Sequence, residues 1–536
     1  MGVIQSTATA ADELVAGLLR GEAYGCSDER VEHIETHISH VFLIGERAYK
    51  IKKALDLGFL DFSTLEKRRR SCEEELRINC RLAPDLYLAV VPITGPRTSP
   101  RVEGEGEPIE YAVKMQRFDQ TALLENVLAH GSLNGKLIEA LAVQVARFHA
   151  SVARALAGSR FGSPASIIGP AQQNFVQLAP LLRNADDQAM LASIREWTEH
   201  QHPQLRPLFE IRQREGFVRE CHGDLHLGNL VLIGGIIRIF DAIEFSEALR
   251  WIDVMNEIAF LFMDLRVRER ADLALRFLNT YLEASGDYAG VRLLPYYVIY
   301  RALVRAKVAA MRASQPDLVG EPAHAYWTKC RTHLRFAHEA TLWRAPLLVI
   351  SHGLSGAGKT ACSQILVEVL EAIRVRSDVE RKRLCGLNAT ARTGAAVGAG
   401  LYHEDVSMRT YARLLDLAEQ MLCAGQSVLI DAAFLLEAQR AQFRALARRL
   451  GVPFAIASFT APDHVLRERI AARARAGKDA SEANIEVLEH QLRTHEPLTA
   501  IEQPYSVVFD TGGASAAQIR TTADRLRELA RVPADS

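Results

Sequence analysis

In the run His222-Gly-Asp224-Leu-His226-Leu-Gly-Asn229, a carboxylate is followed five residues later by an amide. An apolar run, Leu230–Ile233, then a Gly234-Gly235 turn and a second apolar run, Ile236–Phe240, lead to Asp241. This pattern predicts a loop, a strand, a tight hairpin and a second strand, with Asp224, Asn229 and Asp241 at one end of the hairpin. Such a set suits phosphoryl transfer from ATP. Asp224 would take the proton of an acceptor hydroxyl. Asn229 and Asp241 would hold Mg2+ through oxygen, the donor atom this metal prefers.

A second set lies further along. Gly353-Leu-Ser355-Gly356-Ala357-Gly358-Lys359-Thr360 satisfies the pattern GxxxxGKT, follows the apolar run Leu347–Ser351 and opens a helical pattern. The N–H groups of Gly356, Ala357 and Gly358 at a helix start would cradle a β-phosphate. Lys359 would reach the β- and γ-oxygens, Thr360 would ligate Mg2+, and Gly353 and Ser355 complete the loop. Arg376-Ser377-Asp378-Val-Glu380-Arg381-Lys382 ends the next strand. There Asp378 can accept a hydroxyl proton, and Arg376 and Arg381 can hold an anionic acceptor. Ser377 or Asp378 equally suits a helix N-cap. Asp431, after Val428-Leu-Ile, is a further carboxylate for the metal. Arg469 and Arg473, four apart in a basic helical stretch that runs to Lys478, share a face. On a lid they would clamp the transferring phosphoryl group. Asp479 and Ser481 would cap the helix that follows and touch substrate.

These residues need elements to position them. His37–Leu43, Gly45-Glu46 and Arg47–Lys53 read as a hairpin whose second strand alternates. Lys50 and Lys52 therefore share a face, and either suits neutralising the α- and β-phosphates. Ser63–Leu82 reads as a charged helix with Ser63 or Thr64 as its cap. It offers Glu75 as the partner of that lysine, in competition with Glu73 and Glu74. Leu86–Thr94 and Glu110–Phe118 read as two strands around a Gly/Pro-rich loop. From about residue 121 the spacing turns helical, with helices expected over 137–157, 171–215 and 249–340. After Ala345-Pro346 short apolar strands alternate with helices, the pattern of a parallel sheet covered on both faces.

The 536 residues exceed what one core holds. A hydrophobic share of 48%, a charged share of 24% and a net charge of −1 indicate globular regions and give no support to a bulk polyanion or membrane-surface partner. No apolar run approaches a membrane span, and no signal-peptide core is present. Met1-Gly2 with Ser6 fits a short acylation pattern but reads as an ordinary start. The eight cysteines form no CxxC pair, so they read as reduced thiols of a cytoplasmic protein.

His222–Leu230 with Ile239-Phe-Asp241 resembles the aminoglycoside phosphotransferase family, which has a two-lobed, protein-kinase-like fold; the likeness covers about residues 30–340. It implies Asp224 as the catalytic aspartate, Asn229 and Asp241 as Mg2+ ligands and His222 as a structural histidine. It also implies that Tyr111–Arg117, with Met115 and Arg117, is the hinge that meets adenine, and that Asp253 braces the catalytic loop. Ala242-Ile-Glu244 follows Asp241 where protein kinases have Phe-Gly, and no Gly-rich loop precedes the lysine strand. No acidic antibiotic pocket is legible, so a small-molecule hydroxyl acceptor is expected rather than resistance activity. Residues 346–530 resemble the small P-loop kinases of the gluconate, shikimate and adenylate type. The whole resembles a bacterial family of fused aminoglycoside-phosphotransferase-like and P-loop ATP-binding proteins.

The expectation is a multidomain chain: an α+β, protein-kinase-like domain over 1–340 (small lobe about 25–118, helical lobe about 119–340), then an α/β P-loop kinase domain with a parallel sheet over 346–536. Its cofactors would be ATP and Mg2+. Two other functions fit the same residues. One domain can act as a nucleotide sensor of the other, through the Arg-rich helix 301–312 and the Pro346 junction. The P-loop domain can phosphorylate nucleic-acid ends, a reading that neutral charge does not favour.

Overall fold

The computed structural model describes residues 12–56, 58, 60–315, 318–342, 345–389, 391, 403–476 and 483–529. The chain divides into two compact units. One comprises Met1–Leu137, Ser151–Gln172 and His202–Asp264; the other comprises Ile138–Ala150, Gln173–Gln201 and Leu265–Ser536.

The first unit contains an antiparallel sheet of β1 (Glu32–Glu35), β2 (Ser39–Ile44), β3 (Arg47–Lys52), β4 (Tyr87–Thr94), β5 (Arg101–Val102) and β6 (Pro108–Gln116), in the order β1-β2-β3-β6-β4-β5. Alternation along β3 decides its two faces. Tyr49 and Ile51 enter one apolar cluster with Phe42, Val91 and Ile93. Ala48 enters the other, beneath α1 (Leu65–Asn79), with Cys72, Tyr87 and Met115. Lys50 and Lys52 therefore point to the α1 side. Thr64 caps α1, its hydroxyl accepting from the Lys67 N–H at 3.3 Å. The loop 94–108, expected to be irregular, carries the short strand β5.

Further along, β7 (Val218–Glu220) pairs antiparallel with β10 (Trp251–Asp253), and β8 (Leu230–Ile233) with β9 (Ile236–Ile239). Gly234 and Gly235 both adopt positive φ, as the hairpin turn between β8 and β9 requires. Helix α2 (Val254–Val267) follows.

In the second unit, α3 (Ala271–Ser285) precedes further helices. Among its described residues the strands are β11 (Leu348–His352), β12 (Ile373–Arg376), β13 (Val428–Asp431), β14 (Phe454–Thr460) and β15 (Ser506–Asp510). All pair in parallel in the order β12-β13-β11-β14-β15. Leu348–Ser351, Val428–Asp431 and Phe454–Phe459 are buried throughout, as helices on both faces demand. The flanking helices include α4 (Lys359–Leu370), α5 (Ser377–Leu384) and α6 (Asp463–Ala476).

Candidate functional site

In the first unit the hairpin brings the expected residues together. Leu230 pairs with Ile239, and the Phe240 N–H donates to the Asn229 carbonyl at 3.0 Å, so Asn229 and Asp241 end adjacent strands. The Asn229 Nδ2 donates to the Asp224 carbonyl and to Asp224 Oδ2, both at 3.0 Å. His226 Nε2 stands 3.3 Å from the same Oδ2. Asp241 takes a φ of +62°, a left-handed conformation that a non-glycine residue adopts at a cost of order 1–3 kcal/mol. Its N–H donates to the Tyr87 hydroxyl at 3.0 Å, which helps to hold it there.

Both lysines reach this end. Lys50 Nζ is 2.8 Å from Glu75 Oε1 and also binds Asp241. Lys52 binds the other oxygen of Glu75 and binds Glu244. One carboxylate thus serves two ammonium groups. Burial works against all these charges. For Lys50 the carboxylates of Asp241 and Glu75 outweigh it and raise the pKa well above the ordinary value. For Glu75 the two lysines outweigh it and hold the carboxyl at about 2. The competing glutamates are placed elsewhere: Glu73 pairs with Arg69, and Glu74 with Arg77 and Arg250.

The loop itself is tied from beneath. His222 Nε2 donates to the Phe240 carbonyl at 2.8 Å, while its Nδ1 accepts from the Asp224 N–H at 3.2 Å. Burial lowers its pKa, which suits a neutral ring with one donor and one acceptor. Glu257, on α2, accepts from the N–H groups of His222 (3.1 Å) and Gly223 (2.7 Å). Asp264, also on α2, accepts from the Leu227 N–H at 3.0 Å. The bracing expected of Asp253 therefore belongs to Glu257. Asp253 instead pairs with Arg212 at 2.7 Å and accepts from the Met255 N–H at 2.8 Å, at the start of α2. A carboxylate inside the apolar run Met255–Met263 was the sequence signal for Glu257. On β6, Met115 is buried between β3 and β4, and the N–H groups of Gln116 and Arg117 donate to Leu86 and Glu46 carbonyls, each at 2.8 Å.

In the second unit the loop after β11 has the geometry of a phosphate cradle. Gly353, Gly356 and Gly358 have φ of +143°, +83° and +80°. A Cβ on Gly353 would lie 2.5 Å from the Phe459 carbonyl oxygen, and one on Gly356 2.6 Å from that of Leu466. Lys359 Nζ donates to the carbonyls of Gly353 (2.7 Å) and Leu354 (2.9 Å), and the Ser355 N–H donates to Gln491 at 2.8 Å. The Ala357 N–H closes a turn onto Leu354 at 3.2 Å. Burial pulls Lys359 down to about 8, against the pull of Asp431 and Asp378. Thr360 begins α4. Asp431, buried, ends the strand next to β11, 3.3 Å from the Ser363 hydroxyl.

Asp378 lies in the first turn of α5, 3.4 Å from Arg381, and Arg376 lies 2.9 Å from Glu283. Arg469, on α6, is bound to the loop: Nη1 donates to the Thr511 hydroxyl (2.9 Å) and to the Gly356 carbonyl (3.3 Å). Arg473 donates to the Ala483 carbonyl at 2.7 Å. Lys478, Asp479 and Ser481 lie outside the described residues.

Both sites fit a magnesium nucleotide. The first offers amide and carboxylate oxygens beside a lysine. The second offers a backbone loop with no room for a Cβ at Gly353 or Gly356, a half-buried lysine, a hydroxyl and a carboxylate.

A model of the phosphotransferase enzyme family matches residues 59–294, and one described as an AAA domain matches residues 348–498. Uncharacterized proteins of Mycobacterium tuberculosis and Mycobacterium bovis are each 31% identical over 469 residues, which is 86% of this chain and 90% of theirs. Among solved structures, a gluconokinase from Sinorhizobium meliloti is similar at 21% identity, 35% of this chain, 95% of its own and a TM-score of 0.26. An ethanolamine kinase from Plasmodium vivax is similar at 12% identity, 59% of this chain, 84% of its own and a TM-score of 0.36. Among the described residues no helix is long and apolar enough to cross a membrane. The chain belongs to the family of these mycobacterial proteins and is a phosphotransferase, with a kinase-like phosphotransferase region and a P-loop kinase region on one polypeptide.

Proposed function

We propose that this phosphotransferase has two Mg2+- and ATP-dependent sites, each passing the γ-phosphoryl group to a hydroxyl of a small molecule. The observation that carries the reading is the Lys50 ammonium held between Glu75 and Asp241, on the hairpin that also presents Asn229 to Asp224. The catalytic regions are 1–340 and 346–536; the two family matches fall inside them.

In the first region Asp224 orients the acceptor hydroxyl and takes its proton. Its Oδ2 is held by Asn229 and His226. Asn229, with Nδ2 engaged on Asp224, offers Oδ1 as a ligand oxygen, and Asp241 offers its carboxylate. Lys50 neutralises phosphate oxygens, while Lys52 remains on Glu75 and Glu244. At the end of β6 the N–H groups of Gln116 and Arg117 are given to Leu86 and Glu46, so the adenine edge is read from Phe118 onward. In the P-loop region the backbone from Gly353 to Gly358 and Lys359 hold the phosphates. Thr360 and Asp431 hold the metal, Asp378 accepts the hydroxyl proton, and Arg469 and Arg473 stabilise transferring charge. Mg2+, when bound, supplies positive charge to the phosphate oxygens.

The test is ATP consumption by the full chain across a panel of small hydroxyl compounds. Asp224→Ala and Lys359→Ala should each abolish transfer to a different acceptor, by on the order of a hundredfold or more. If neither change alters any transfer, the two-site reading is wrong.

A further inference from the structure

Helix α3 falls inside the stretch that matches the phosphotransferase family, residues 59–294, yet its side chains are built into the P-loop sheet of its own compact unit. Asn279, buried, acts as a substitute strand. Its Oδ1 accepts from the Arg374 N–H at 2.6 Å, and its Nδ2 donates to the Ala372 carbonyl at 3.2 Å. The outer edge of β12 is thereby met by an amide with the donor and acceptor of a peptide group. One turn later Glu283 accepts from Arg376 at 2.9 Å and lies 3.5 Å from Arg374 Nη2. Arg276 and Arg266 add ties at 2.9 Å and 2.8 Å to Glu368, on α4, and to Glu371, which caps it.

From Glu283 a continuous run of polar contacts reaches the metal end of the P-loop site. Arg374 Nη1 donates to Ser363 Oγ at 3.1 Å. Ser363, fully buried on α4, lies 2.9 Å from the Thr360 carbonyl and 3.3 Å from Asp431 Oδ2. An arginine that donates into the hydroxyl oxygen directs its single hydrogen away from itself, to the Thr360 carbonyl at 2.9 Å with Asp431 Oδ2 as the longer, shared acceptor at 3.3 Å. Buried, charge-assisted bonds of this kind fix orientation more firmly than exposed ones. Asp431 is thereby tied through Oδ2 to the helix that carries Thr360.

We propose that Arg374, held by Glu283, is a positioning residue for Asp431, so that α3 of the phosphotransferase region sets the metal end of the P-loop site. This rests on reading the P-loop as a magnesium-nucleotide site. The test titrates ADP, with and without Mg2+, into the full chain by calorimetry, in a Lys50→Ala background that silences the first site. Glu283→Gln and Arg374→Met should each weaken MgADP binding at least fivefold and leave metal-free ADP binding within twofold. MgADP affinity within twofold of the parent overturns the proposal. So does an equal loss for ADP with and without metal, because that marks only a brace of the fold. Should Arg374→Met fail to melt cooperatively, the isosteric Glu283→Gln and Ser363→Ala decide the matter by the same criteria. Lys359→Ala separates the two levels: if it leaves MgADP binding intact, the P-loop reading falls and takes this proposal with it. If it abolishes binding while Glu283→Gln matches the parent, this proposal alone falls.

Discussion

Lys52 has no exposed side-chain surface, yet it stays charged between Glu75 and Glu244. Removing one partner from a buried ion pair costs about 3–5 kcal/mol, because the remaining charge has nowhere to go. Strand alternation made Lys50 and Lys52 equivalent in the sequence, and on that basis either could serve the phosphates. That one glutamate would engage both was not legible, because it depends on where α1 crosses β3. Lys359 gives a pH test at the same scale. Its folded value is about 8, against an ordinary 10.5, with burial as the main cause. Phosphate oxygens would raise it again, so MgADP binding at the P-loop should take up protons at about pH 8.5, where the free side chain is partly neutral. At about pH 6.5 Lys359 is charged before and after binding, and its uptake should vanish. Calorimetry in buffers of different ionisation heat reads this directly, and equal proton exchange at both pH values would count against it. Stability follows the same sign. Between about 8 and 10.5 the unfolded lysine holds a proton that the folded one has released, so stability rises with pH across that window.

Among elements, the P-loop was the most legible, because its glycines answer to backbone geometry that any sequence must obey. Gly356→Ala should test this. The added methyl would meet the Leu466 carbonyl at 2.6 Å on a φ of +83°. We expect MgADP affinity at this site to fall on the order of tenfold or more, with a loss of about 1–3 kcal/mol in denaturant unfolding. Gly425→Ala is the control: it also has positive φ, +74°, but open space around the new Cβ, so it should cost stability alone. If both variants bind MgADP as the parent does, the close approach has no functional weight. The hairpin β8–β9 was legible too, from its Gly-Gly turn and the residues at its open end. Helix α2 was not: Glu257 sits in a run of apolar residues, and spacing alone does not show that its carboxylate faces two loop N–H groups.

At the scale of the molecule, the change to alternating strands and helices after Pro346 announces a second nucleotide-binding region. The sequence gives no sign that 138–150 and 173–201 cluster with 265–536, since such grouping depends on contacts between distant segments. Two independent sites predict two MgADP equivalents per chain by calorimetry. Lys50→Ala and Lys359→Ala should each leave one equivalent, and the double variant none. A single equivalent in the parent chain would refute the two-site count. Asn279 carries a further consequence, for solubility rather than catalysis. A polypeptide begun at Pro346 would retain all five strands of the parallel sheet but lose the amide that meets the outer backbone of β12 at Ala372 and Arg374. A bared edge recruits strands from other molecules. Such a fragment is expected to self-associate, and Asn279, the residue whose loss would bare that edge, lies within the stretch matched to the phosphotransferase family.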